Sequence, residues 1–194
     1  MPRLLYIHGF LSSPASAKAV QVRDWLAVQH PEVEFICPAL SPHPQATAEA
    51  LEAIAGARDE PLGVMGSSLG GFWATWLVER FGVRAALINP STNPMALLPA
   101  YIDKPVKNYH TDATYTLTGQ DLADLAQYNR PVIERPANYW LLVQTGDETL
   151  DYRLAVKKYH ACRQTVELGG DHSFQNFERF IAPAVDFVLP GLES

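Results

Sequence analysis

Short, nearly unbroken apolar runs, each followed by a stretch with helical spacing, recur along the whole of this 194-residue chain and constrain its fold more than any other feature. Residues 4–7, 33–37, 62–65, 84–89, 139–145 and 164–168 read as strands without the polar alternation of a half-exposed sheet, which is the pattern of strands covered on both faces. Between them the spacing turns helical. Ala19, Val22 and Leu26 recur at helical intervals until His30-Pro31, with Ser13-Pro14 as the expected N-cap and first helical position. Residues 45–57 form an Ala-rich helix carrying Leu51 and Ile54, and residues 69–81 an apolar one that Gly82 closes. A helix near 152–159 follows the fifth strand. The last helix shows Phe174, Phe177, Ile181, Ala184, Val185 and Val188 on one stripe. This alternation predicts an α/β fold: a mainly parallel sheet of about six strands with helices on both faces, and ligand sites at the carboxyl ends of the strands.

Residues 90–138 break the rhythm. Pro94, Pro99, Pro105, Pro131 and Pro136 fall here, with a weak helical stretch through Leu117, Asp121, Leu122, Leu125 and Tyr128. A structureless loop of that length is unusual, so the segment is expected to fold as a small cap over the strand ends, lining a pocket with Met95, Leu97, Leu98 and Tyr101. The length fits a single domain, residues 1–194, with the cap as an insertion.

Fifteen Lys and Arg against 21 Asp and Glu give a net charge of −6, with no basic cluster. Nucleic acid and anionic membrane surfaces, which require a basic footprint, are therefore poor partners. Cys37 and Cys162 lie far apart without zinc-ligand spacing and read as free thiols. The opening residues carry no secretory h-region and no spanning segment, and a cytoplasmic protein is expected.

The sharpest local signal is Gly66-Ser67-Ser68-Leu69-Gly70, a G-x-S-x-G sequence set between an apolar strand and an apolar helix. In that context the central serine sits on a tight turn with its hydroxyl above the sheet, and the next helix directs its amides toward a developing oxyanion. Ser68 is the candidate nucleophile; Ser67 qualifies only if the glycine register is ignored. A serine hydroxyl needs a base, and the base an acid to orient it. His172, in Gly169-Gly170-Asp171-His172-Ser173, follows the last strand. Asp147, in Thr145-Gly146-Asp147-Glu148, follows the strand before it, with Glu148 and Asp151 as alternative acids. The N–H groups of Phe10 and Leu69 are the expected oxyanion hole. His8 reads as a structural histidine of the first loop, and His30, His43, His110 and His160 stand singly. Neither metal-ligand spacing nor a phosphate-binding glycine motif is present in the sequence, so no metal and no cofactor are expected.

With these residues in place, the chain resembles the α/β-hydrolases, and more narrowly the small bacterial esterases of the YqiA type. The resemblance is carried by residues 6–14 (Tyr6-Ile7-His8-Gly9-Phe10 onward), by Gly66-Ser67-Ser68-Leu69-Gly70-Gly71-Phe72, by residues 146–152 and by Gly169-Gly170-Asp171-His172-Ser173-Phe174. It implies a cofactor-free serine hydrolase of carboxylic esters or thioesters with Ser68 as nucleophile, His172 as base and Asp147 as acid. Relative to larger relatives the chain starts directly at the His-Gly strand, which implies a reduced α/β-hydrolase fold and an uncovered sheet edge where a second copy could pair as a homodimer. Acyl-CoA thioesterase and acyltransferase activities stay open beside esterase activity, with Lys104, Lys107, Arg130 and Arg135 as basic residues for a phosphorylated substrate arm. A ligand-binding module on a hydrolase fold is the non-catalytic alternative.

Overall fold

Each apolar run enters one sheet. The computed structural model describes residues 1–57, 60–108, 112 and 114–192. Strands β1 (Arg3–Ile7), β2 (Glu34–Ile36), β3 (Leu62–Ser67) and β4 (Arg84–Ile88) alternate with helices α1 (Ala17–Gln29), α2 (Pro44–Gly56) and α3 (Leu69–Phe81). After β4 come a two-stranded ribbon, β5 (Pro105–Lys107) with β6 (Thr114–Thr116), and helix α4 (Gly119–Gln127). Then follow β7 (Tyr139–Gln144), α5 (Tyr152–Lys158), β8 (Arg163–Glu167) and α6 (Ile181–Val188). The main sheet is six-stranded in the order β2-β1-β3-β4-β7-β8, and every pairing within it is parallel.

The alternation of side chains along a strand divides the core in two. Leu5, Ile7, Val64, Leu87 and Leu141 face one side with α2, α3 and α5, while Leu4, Tyr6, Met65, Ile88 and Leu142 face the other with α1 and α6. Helix α3 is buried from Gly70 through Val78, which explains why its sequence is apolar all round: it lies against the sheet on one side and is covered on the other, where Trp73 and Trp76 meet Tyr128. Gly82 ends it in the left-handed conformation, φ 71°.

Three expectations need correction. Helix α1 begins at Ala17 with Ser16 as N-cap; Ser13 instead accepts the Ala15 N–H and its carbonyl the Ser16 N–H, so the Ser13-Pro14 pair forms a turn before the helix. The last apolar stripe is one buried face built from two pieces. Only Ile181–Val188 is α-helical, Phe177–Phe180 is a 3-10 turn, and Phe174 and Asn176 sit at positive φ. A spacing of three fits a 3-10 turn as well as an α-helix, which is why the sequence does not separate them. Finally, the segment between β4 and β7 contains the β5–β6 ribbon besides short helices. In it Val106 and Tyr115 are half-buried between exposed neighbours, a period-two pattern too short to stand out.

Among the described residues no helix is long and apolar enough to cross a membrane. Cys37 and Cys162 are free and half-buried, and burial pushes both thiols up to about 11. His110 lies outside the described residues.

Candidate active site

Parallel order places the carboxyl ends of β1, β3, β4, β7 and β8 along one edge. The chain leaves β1 for β2 on one side and returns for β3 on the other, so the loops after β1 and β3 diverge and open a crevice at that switch point. Ser68 stands there. Its backbone, φ 56° and ψ −121°, lies in a region L-residues avoid, at a cost of about 1–3 kcal/mol. Neighbouring backbone holds it: Ser68 N–H donates to Ile88 O at 3.1 Å, and Ser68 O accepts the N–H groups of Gly71 and Ser91, each at 2.9 Å. The turn also requires α3 to press against β1. A Cβ on Gly70 would sit 1.9 Å from the Ile7 carbonyl oxygen, so only glycine fits.

The hydroxyl that this turn presents is hydrogen-bonded. Ser68 Oγ lies 3.1 Å from His172 Nε2, and His172 Nδ1 lies 2.9 and 3.0 Å from the two carboxylate oxygens of Asp147. Carboxylate oxygens accept, so Nδ1–H donates and Nε2 is left free to accept from the serine. The Asp147 side chain is 2% exposed, and its Oδ1 also accepts the N–H groups of Thr149 and Leu150 at 2.9 and 2.8 Å. The other two acids have different partners. Glu148 accepts the His172 backbone N–H at 3.0 Å, and Asp151 caps α5 by accepting the Arg153 N–H at 3.0 Å.

Two residues that sequence reasoning missed fix the His172 loop. Asn89, directly after β4, donates from Nδ2 to the carbonyls of Asp171 and His172 at 3.0 and 3.2 Å and accepts the Gln144 N–H on Oδ1 at 3.0 Å. Gln144, the last residue of β7, accepts the N–H groups of Asp171 and Gln175 at 3.2 and 2.8 Å. Gly170, at φ +72°, leaves the space that the Gln144 amide occupies. The available signal was polarity: an Asn and a Gln ending otherwise apolar runs at the functional edge of the sheet. Asn89→Ala would leave the buried Gln144 N–H and the His172 carbonyl without a partner and the Asp171 carbonyl with only the Phe174 N–H, and should cost about 2–4 kcal/mol, read as a lower denaturant midpoint. A change below about 0.5 kcal/mol would show that Asn89 does not hold the loop.

Beside Ser68, the β1 loop comes close enough that a Cβ on Gly9 would lie 3.2 Å from Ser68 Cβ. The amides of Phe10 and Leu69 make no hydrogen bond among the described residues. His8 is 6% exposed; its Nδ1 lies 3.0 Å from Gly9 O, and Leu40 N–H approaches its Nε2 at 3.5 Å, so it braces this loop.

Two cavities meet at Phe10. One is narrow, about 60 Å³ and mostly apolar, with walls from Phe10, Leu69, Trp73, Leu98, Ile102 and Leu122. Asp121 also lines it, and its Oδ1 lies 2.8 Å from His43 Nδ1, joining α4 to the loop before α2. The other is an open cleft of about 600 Å³ that contains Ser68 and His172 and is also lined by Tyr6, Ser16, Lys18 and Tyr101. Of the expected pocket residues, Leu98 and Tyr101 line these spaces, Met95 packs on the core and Leu97 is exposed. Lys104, Lys107, Arg130 and Arg135 line neither cavity. Lys104 donates to Ala100 O, Lys107 pairs with Asp112, and Arg130 donates to the carbonyls of Gln127 and Asn129.

Comparison with known proteins bears on this arrangement. The family model described as "Uncharacterised protein family (UPF0227)" matches residues 3–189. A UPF0227 protein of Serratia proteamaculans (strain 568) is 27% identical over 180 residues, covering 89% of this chain and 91% of that one. Among solved structures, alpha/beta hydrolase domain-containing protein 10 from mouse superposes with a TM-score of 0.70 at 16% identity, over 96% of this chain and 90% of that one. The esterase domain of a Rhodothermus marinus protein superposes with a TM-score of 0.64 at 20% identity, over 97% and 84%. The fold is that of the α/β-hydrolases.

Proposed function

Since this chain belongs to the YqiA-like UPF0227 family and has the α/β-hydrolase fold, we propose that it is a serine hydrolase of carboxylic esters, working through Ser68, His172 and Asp147. One observation carries the reading: a serine held at positive φ at a strand-to-helix turn, hydrogen-bonded to a histidine that is itself hydrogen-bonded to a buried carboxylate.

The chemistry follows from the donors and acceptors. Ser68 Oγ attacks the ester carbonyl carbon as its proton passes to His172 Nε2, giving a tetrahedral oxyanion that the free N–H groups of Phe10 and Leu69 stabilise. Asp147 holds the imidazole with Nδ1 protonated and stabilises the imidazolium. As the intermediate collapses, the C–O bond to the leaving alcohol breaks and that oxygen takes the proton from Nε2. Water then attacks the acyl-enzyme with His172 again as base, the acid leaves, and the proton returns to Ser68 Oγ. The narrow apolar cavity next to the two amides suits a short apolar acyl arm. Residues 90–138, which supply much of its wall, act as the cap.

The test is intact-protein mass after exposure to a fluorophosphonate. Wild type should gain one adduct, and Ser68→Ala none. Folded wild type that takes no adduct, or an adduct that survives in Ser68→Ala, would refute the assignment and favour a binding module.

A further inference from the structure

The open cleft has a feature the reaction above does not use. Lys18, in the first turn of α1, lines the same cleft as Ser68 and His172. Among the described residues its Nζ makes one hydrogen bond, to Ser173 O at 2.7 Å, and no ion pair. Burial lowers this ammonium below its usual range, while the charges of Asp171 and Asp147 pull the other way. Lys18 is thus a cation with donors to spare, adjacent to the histidine loop.

The start of α1 around Lys18 favours negative charge, against the opposing charges of Asp171 and Asp147. The first turn of α1 holds no acidic residue, and its N-cap Ser16 makes no side-chain capping bond, so the positive end of the helix dipole is left uncompensated where Ser16, Ala17 and Lys18 line the cleft. Lining the same cleft, the buried hydroxyl of Ser16 has no hydrogen-bond partner among the described residues, whereas the phenol of Tyr6 meets the Ser67 side chain. An unpaired buried hydroxyl is costly, and an acceptor oxygen would satisfy it. Exposed Glu178 also lines the cleft and sets a limit on how much negative charge it takes.

We propose that Lys18, the Ser16 hydroxyl and the N-terminal turn of α1 form an anion-binding subsite that takes a carboxylate or phosphate group on the leaving arm of the substrate. Which arm carries the anion rests on the serine-hydrolase reading: the leaving oxygen must face His172 to receive its proton, and Lys18 lies on the His172–Ser173 side, away from the apolar cavity at Phe10 and Leu69. The existence of the subsite does not rest on it.

Binding and cleavage separate the two claims. Ser68→Ala protein is titrated calorimetrically with the butyrate ester of 3-hydroxypropionate and with that of 3-hydroxypropionamide, which matches it in size and lacks the charge. The anionic ester should bind about tenfold tighter or more, as expected for a charge-assisted hydrogen bond. Adding Lys18→Met should reduce that ratio to about one, and Lys18→Arg should keep most of it. The butyrate ester of 2-hydroxyethyl phosphate, run in parallel, tells whether phosphate is preferred over carboxylate. Equal affinities for the charged and neutral esters would overturn the proposal, as would a ratio that persists in Lys18→Met. If Lys18 only braced Ser173, its replacement would weaken both esters alike and leave the ratio unchanged. Wild type that shows the charge preference but cleaves neither ester would remove the hydrolase reading and leave the subsite standing.

Discussion

Asp147→Asn should remain folded and lose about 10⁴-fold in kcat/KM for 4-nitrophenyl butyrate. The reason lies in what else the carboxylate holds. Its Oδ1 accepts two backbone N–H groups, from Thr149 and Leu150, so an asparagine there must keep its carbonyl oxygen at that position. The amide NH₂ then replaces Oδ2, which lies 2.9 Å from His172 Nδ1. A donor facing Nδ1 makes that nitrogen an acceptor and moves the ring proton to Nε2, where it faces Ser68 Oγ and cannot take its proton. Both loop contacts survive, so the thermal midpoint should fall by no more than about 4 °C. Glu148→Gln is the matched comparison: among the described residues its carboxylate meets only the His172 backbone N–H, which an amide oxygen still accepts, and it should lose less than about tenfold. A loss from Glu148→Gln as large as that from Asp147→Asn would move the acid role to Glu148.

Gly70→Ala carries the largest expected effect on folding. A methyl group at this position would lie 1.9 Å from Ile7 O, 2.6 Å from Ile7 C and 2.8 Å from His8 O, all backbone atoms of the strand and loop that adjoin Ser68. Nothing flexible can move aside, so either α3 lifts from β1 or the β1 loop shifts. A cost above about 4 kcal/mol is expected, seen as insoluble protein or a thermal midpoint lower by more than about 8 °C. Gly56→Ala provides the contrast, because Gly56 ends α2 and, among the described residues, no packed atom lies within 4 Å of the added carbon. That change should be neutral or stabilising by up to about 1 kcal/mol. Gly70→Ala protein as stable as wild type would mean that the helix and strand do not approach so closely.

The sheet was legible because its strands are buried on both faces and so appear as apolar runs, and the same runs locate the edge at which Ser68, Asp147 and His172 meet. The sequence puts Asp147 first as the acid beside His172 but leaves Glu148 and Asp151 open. Asp147, Glu148 and Asp151 lie within five positions of one another, and only the backbone of the β7 loop decides that the first meets Nδ1, the second the His172 amide and the third the start of α5. Asn89 and Gln144 escaped for a related reason: their partners are backbone groups 27 to 83 residues away, and no local pattern encodes such pairs. The ribbon of residues 105–107 and 114–116 escaped because three-residue strands carry too few alternations to register.

The division of labour between the sheet and the segment above it has an evolutionary consequence. Ser68, Asp147 and His172 stand on loops that leave β3, β7 and β8, whereas Leu98, Ile102, Tyr115, Leu117, Leu122 and Leu125, which form much of the narrow cavity, belong to the stretch between β4 and β7. On the proposed serine-hydrolase reading, changes in that stretch reshape what the cavity admits without moving the hydrogen-bonded residues beneath it. On the same reading a lineage, or a laboratory selection for bulkier acids, can explore new substrates by drifting in residues 90–138 while the frame of Ser68, Asp147 and His172 stays under purifying constraint.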